Sequence, residues 1–175
     1  MNQPPTPNPQ PPIVLLGFMG AGKTTVARAL AARLGCGWLD VDGIIAQRAG
    51  LTPAQIIDRQ GEARFRELET QALRVALEGQ TRIIATGGGA WANEQNRELV
   101  AARQCLTVWL DAPFELCRQR IAPQGDTRPL ARDETLARQL YAARRPFYAQ
   151  AARVVHLTPE KTVLEIVDEI VSSTL

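Results

Sequence analysis

Gly17-Phe18-Met19-Gly20-Ala21-Gly22-Lys23-Thr24-Thr25 follows the apolar run Ile13-Val14-Leu15-Leu16 and opens a helical pattern that reaches Leu34. Strand, glycine loop and helix form the setting of a phosphate-binding loop, and the residues fit G-x-x-x-x-G-K-[ST]. The glycines let successive N–H groups turn into one concavity that accepts phosphate oxygens. The helix beginning after Gly22 adds its free N–H groups and the positive end of its dipole. Lys23 is placed to reach the β- and γ-phosphates, and the Thr24 hydroxyl to ligate Mg²⁺. Lys23 and Lys161 are the only lysines in the chain, so a lysine at this point of the motif is not compositional noise.

A length of 175 residues with 45% hydrophobic and 22% charged content suits one globular domain with a substantial core. A net charge of +2 with acids and bases interleaved is not the footprint of a nucleic-acid binder. No apolar run is long enough to span a membrane, and no signal peptide is evident. Cys36, Cys105 and Cys117 are odd in number and widely spaced, which predicts reduced, half-buried thiols of a cytoplasmic protein. His156, the single histidine, lies in the apolar run Val154–Leu157, which predicts a satisfied strand-end side chain and excludes histidine-based triads and metal clusters. Residues 1–12 hold half of the twelve prolines and predict a disordered tail, leaving 13–175 as the domain.

Strands are expected at 13–16, 36–42, 83–85, 106–110 and 153–157. Helices are expected at about 25–34, 43–49, from Pro53 onward, 61–78, 93–102, 114–121, 134–150 and 162–172. Thr52 reads as an N-cap with Pro53 in the first turn. The alternation predicts an α/β fold, a three-layer α/β/α sandwich on a five-stranded parallel sheet, with ligands beyond the carboxyl ends of the strands. The stretch from Ala122 to Asp133 breaks the pattern and predicts a mobile surface segment, a lid.

Three clusters fall on that rim. Asp40 and Asp42, two apart, would face one side of an extended strand, one holding a metal-bound water and the other accepting a proton from an attacking hydroxyl. Gly87-Gly88-Gly89 ends a buried strand, where glycine lets backbone amides approach a ligand closely. Arg128 on the lid would fold over the γ-phosphate and neutralise developing charge. Arg66 reads equally as an i,i+4 partner of Glu62 or as a site residue, and Arg144 and Arg145 as a solvated helix end or an anion clamp.

These pieces carry a resemblance. G-F-M-G-A-G-K-T-T, D-V-D, F-R-E-L-E, T-G-G-G, T-R-P-L and R-R-P-F-Y occur in this order and at fitting distances, and together the stretch from 13 to 172 resembles shikimate kinase, in the nucleoside-monophosphate-kinase-like branch of P-loop proteins. The resemblance implies the P-loop NTPase fold and ATP-dependent phosphorylation of the 3-hydroxyl of shikimate in aromatic amino acid biosynthesis. It implies that Gly20, Ala21, Gly22, Lys23, Thr24 and Thr25 hold the ATP phosphates, and that Thr24 binds Mg²⁺ with Asp40 acting through water. Lys23, Asp42 and Arg128 become the catalytic set, with Asp42 orienting or deprotonating the nucleophile. Asp42, Arg66, Gly87, Gly88, Gly89 and Arg144 become the shikimate contacts. Adenine would lie between Arg120, for which Arg118 competes, and the loop around Pro159; Arg145 is the alternative to Arg144. The partners implied are ATP and shikimate, bound by a cytoplasmic monomer.

Other readings stay open at this point. A kinase of gluconate or of a nucleoside monophosphate would share the P-loop and lid but not the D-V-D, F-R-E and G-G-G set. A GTPase lacks support because no N-K-x-D motif occurs. A non-catalytic binding protein of this fold would be expected to have lost Lys23, Asp42 or Arg128, and all three are present.

Overall fold

The computed structural model describes residues 10–122 and 133–173. The expected tail, up to residue 9, and the lid with Arg128 lie outside the described residues.

Five parallel strands stand in the order β2-β3-β1-β4-β5: β1 Ile13–Leu16, β2 Trp38–Asp40, β3 Ile83–Ala85, β4 Leu106–Asp111 and β5 Arg153–His156. The helices among the described residues are α1 Lys23–Leu34, α2 Val41–Ala49, α3 Pro53–Gln60, α4 Glu62–Glu78, α5 Glu94–Ala102, α6 Phe114–Ile121, α7 Glu134–Tyr148 and α8 Val163–Ser172. The result is the three-layer α/β/α sandwich that the alternation predicts. β1 sits at the centre, and its four residues are all buried, which is why it reads as an unbroken apolar run rather than an alternating one. Thr52 caps α3 through a full capping box with Gln55, and Thr162 caps α8 with Glu165 in the same way.

Register lines up the functional ends of the strands. Leu15 pairs with Ala85 and Val108, Asp40 with Ala85, and Asp111 with His156. Gly17, Asp40, Thr86 and Asp111 therefore share one rim. The order reverses about β1, so the rim beyond β1 is the topological switch point where such sheets bind ligands.

One expectation is corrected here. The strand ending in Asp42 is shorter: β2 stops at Asp40, and α2 starts at Val41. The Asp40 carboxylate accepts the N–H groups of Asp42 and Gly43 at 3.0 and 3.3 Å, so it caps the helix and turns the chain. Asp40 and Asp42 thus do not share the face of an extended strand. Asp42 occupies the first helical turn, with the positive end of the α2 dipole behind it.

Candidate active site

The phosphate loop is built by close backbone contact. At Gly20, φ is +79° and a Cβ would stand 2.5 Å from the Cys117 carbonyl oxygen, so only glycine fits against α6. Lys23 is buried and its Nζ donates to Gly17 O at 2.7 Å and Phe18 O at 3.0 Å, folded back along its own loop. Thr24 Oγ1 donates to Asp40 Oδ2 at 2.5 Å, which brings two hard oxygen donors together at the start of α1. Arg120 reaches from α6 to the carbonyls of Gly20 and Ala21 at 3.4 and 3.3 Å. Arg118 instead pairs with Glu115 and Glu134 at the exposed surface, so of the two it is Arg120 that faces the loop. Pro159 lies in the turn between β5 and α8, an exposed position at the carboxyl end of β5.

A second group of side chains gathers on the other side of the triple glycine. Arg66 bridges Glu62 and Glu69, each at 2.9 Å. The expected i,i+4 pair with Glu62 is therefore present, but the arginine is not spent on it alone. Burial works against the Arg66 charge, and Glu69 and Glu62 outweigh it, holding its pKa above the ordinary value. Glu69 is fully buried, and burial pushes its pKa up against the pull of Arg66, with Asp42 adding to the rise. Arg144 is also buried, and burial, then the charge of Arg66, pushes its pKa down. Among the described residues no carboxylate lies within ion-pair distance of Arg144; its guanidinium rests 5.7 Å from the Phe18 ring centre. Tyr148 donates from its buried hydroxyl to Gly88 O, tying the end of α7 to the glycine loop, and burial raises its pKa.

The three glycines are the places where these groups meet. A Cβ on Gly87 would collide with Glu69 Oε1 and stand 2.9 Å from Asp42 Oδ1. One on Gly88 would stand 3.0 Å from Met19 N of the phosphate loop and 3.7 Å from Arg144 Nη1. One on Gly89 would stand 2.5 Å from Arg66 Nη1. Two carboxylates, two arginines and the phosphate loop therefore converge on a three-residue backbone that has no side chains to separate them. The sequence suggested glycines for ligand approach; the geometry adds that they admit the site's own side chains.

Gly89→Ala isolates this effect. Gly89 has φ −102°, an ordinary value, so an alanine costs no backbone strain and acts by pushing on the Arg66 guanidinium that Glu62 and Glu69 hold. If Arg66 holds an anionic ligand here, that ligand should bind about tenfold more weakly, the value of one charge-assisted contact, while the melting temperature holds within a few degrees. Unchanged binding would remove Arg66 from that role.

Sequence reasoning missed Glu69, Tyr148 and Asp111. Glu69 stands three residues after Arg66 in a charged run that looks like a solvated helix face; the signal is its i,i+3 spacing. Asp111 ends β4 and pairs with Arg145, so Arg145 is held at the sheet while Arg144 faces Gly88. His156 is an exposed side chain, 78% accessible, with Nδ1 3.2 Å from Asp111 Oδ2. Cys36 and Cys105 are half-buried and Cys117 is buried; all three are unpaired, and burial raises Cys105 and Cys117 to about 11.

Similarity to known proteins identifies one family. The shikimate kinase family model matches residues 19–174. A shikimate kinase of Symbiobacterium thermophilum is 44% identical over 166 residues, covering 90% of this chain and 92% of its own length. The structure of the Acinetobacter baumannii shikimate kinase in complex with shikimate superposes with a TM-score of 0.86 at 36% identity, covering 94% of this chain and 92% of that one. A gluconokinase from Sinorhizobium meliloti reaches a TM-score of 0.58 at 16% identity, which shows a shared fold and nothing further.

Proposed function

Since the chain belongs to the shikimate kinase family, we propose that the residues gathered at the switch point carry out that family's reaction in the roles given below. The chain is an ATP-dependent shikimate kinase that converts shikimate and ATP to shikimate 3-phosphate and ADP, in aromatic biosynthesis. The observation that carries the assignment of roles is the pairing of Arg144 with Arg66 across the glycine loop. A buried guanidinium with no ion-paired carboxylate among the described residues, its pKa pushed down by burial and by a second arginine, is a place that gains from an anion. The shikimate carboxylate is that anion, and its ring is held with the hydroxyls toward Asp42.

Phosphoryl transfer asks for positioning and charge neutralisation more than for covalent chemistry. In our reading the amides from Gly20 to Thr25 cradle the ATP phosphates, and Lys23 turns from the Gly17 and Phe18 carbonyls to the phosphate oxygens. Asp42 accepts a hydrogen bond from the 3-hydroxyl, aligns its oxygen with the γ-phosphorus and takes its proton as the new O–P bond forms and the bond from the γ-phosphorus to the departing ADP oxygen breaks. Arg128 supplies charge to the transferring group, and Arg120 and the loop at Pro159 flank the adenine. The Thr24 and Asp40 oxygens suit Mg²⁺, Thr24 directly and Asp40 through water, since this ion takes few protein ligands and keeps several waters. When bound, Mg²⁺ neutralises charge on the β- and γ-oxygens. In this reading the working unit is a monomer. The unpaired thiols favour the reducing cytoplasm. No helix among the described residues is long and apolar enough to cross a membrane.

Arg66→Lys tests the carboxylate clamp without leaving Glu69 beside an uncharged partner. The lysine keeps the charge and loses the two-pronged fork. The KM for shikimate should rise at least about tenfold, with the KM for ATP within about twofold. Equal changes in both constants would mean that Arg66 supports the whole site and does not hold the carboxylate.

A further inference from the structure

Arg145, next to Arg144 on α7, is tied down far more firmly than an ordinary helix-end arginine. Its guanidinium makes a two-pronged ion pair with Asp111, Nη1 to Oδ1 at 2.6 Å and Nη2 to Oδ2 at 3.1 Å. Nη1 also donates to Tyr141 Oη at 2.7 Å, and that hydroxyl donates to Ala112 O at 2.9 Å. The same guanidinium lies 4.8 Å from the Trp109 ring centre and 5.4 Å from that of Tyr141. The Asp111 side chain is only 11% accessible. Asp111 is the last residue of β4, and the carbonyl just before it, Leu110 O, is the atom that a Cβ on Gly17 would meet at 2.8 Å. The knot of contacts thus joins α7 to the strand that abuts the phosphate loop.

Neighbouring helical residues project about 100° apart. An arginine fork locked onto a carboxylate fixes both the rotation and the height of the helix, because the planar pair tolerates one geometry. With Arg145 held at the sheet rim, Arg144 is aimed at Gly88. Tyr148, one turn further on, restrains the same helix through Gly88 O. Arg144 has no carboxylate of its own to orient it among the described residues, so its aim comes from its neighbours.

We propose that Asp111 and Arg145 are positioning residues for the transfer, locking α7 so that Arg144 meets the acceptor carboxylate at a fixed distance from the phosphate loop. This rests on Arg144 acting as a carboxylate clamp. A pair that served only the fold would lower stability when broken and leave the substrate constants alone.

The test uses the full chain, with shikimate and ATP varied separately and melting temperature recorded, for Asp111→Asn, Arg145→Gln, Arg144→Ala and the double variant Asp111→Asn with Arg144→Ala. Asp111→Asn and Arg145→Gln should each raise the KM for shikimate by about tenfold, with the KM for ATP within about twofold. In the Arg144→Ala background, Asp111→Asn should add nothing further, because the residue it positions is gone. An unchanged shikimate KM in Asp111→Asn and Arg145→Gln overturns the proposal, as does an effect that multiplies in full on top of Arg144→Ala. If Arg144→Ala itself left the shikimate KM unchanged, the clamp would fail first and the positioning role with it. Should Asp111→Asn not fold, Arg145→Gln in the wild-type and Arg144→Ala backgrounds decides the matter on the same terms.

Discussion

Lys23→Met should reduce phosphoryl transfer to less than about a hundredth of wild type, the loss expected when one donor to a developing charge is removed. The lysine is buried inside the phosphate loop and donates to Gly17 O and Phe18 O. Methionine fills nearly the same volume, so the fold should survive. Losing the hydrogen bonds to these two loop carbonyls costs about 1–3 kcal/mol each, which a domain of typical stability, about 5–15 kcal/mol, can bear. Circular dichroism and thermal melting check the fold, and a coupled assay checks transfer. More than a tenth of wild-type turnover would remove Lys23 from the phosphate site.

Asp42→Asn should lower turnover by about 10²–10⁴, the range for a lost general base, while ATP binding changes little. The residue sits in the first turn of α2, with Oδ1 facing Gly87 beside Glu69. Asparagine keeps the shape and removes the basic oxygen. Asp40→Asn should behave differently. Asp40 caps α2 and accepts from Thr24, and asparagine is also a good cap, so the helix should persist while the Mg²⁺ requirement rises. Nucleotide affinity followed through tryptophan fluorescence, and turnover against shikimate and Mg²⁺, separate the two. Equal loss of ATP affinity in both variants with unchanged shikimate saturation would contradict the division between them.

The strands and helices were legible because each carries a local signal. β1 is an unbroken apolar run ending in glycine, and Thr52 before Pro53 announces α3 by its cap. The phosphate loop was legible because its chemistry needs contiguous residues. What the sequence hid depends on distance across the fold. Asp40 reads as a strand residue until its carboxylate is seen to turn the chain into α2. Glu69 looks like one more charge on a solvated helix, and only the packing of α4 beneath the triple glycine shows it to be buried. Arg144 and Arg145 are equivalent as letters; they differ because helical rotation turns one to Asp111 and the other to Gly88. Arg128 and the lid lie outside the described residues, and their roles rest on the resemblance.

The identity of the acceptor decides the function. The direct measurement is ADP release by the purified chain with ATP and Mg²⁺, offered shikimate, gluconate and several nucleoside monophosphates in parallel, with the product of any active acceptor examined by phosphorus NMR. Saturable, shikimate-dependent ADP release is expected, yielding one phosphomonoester at the 3-position, with the other acceptors at the level of the no-acceptor control. Release driven by gluconate or a nucleoside monophosphate, with none driven by shikimate, would contradict it.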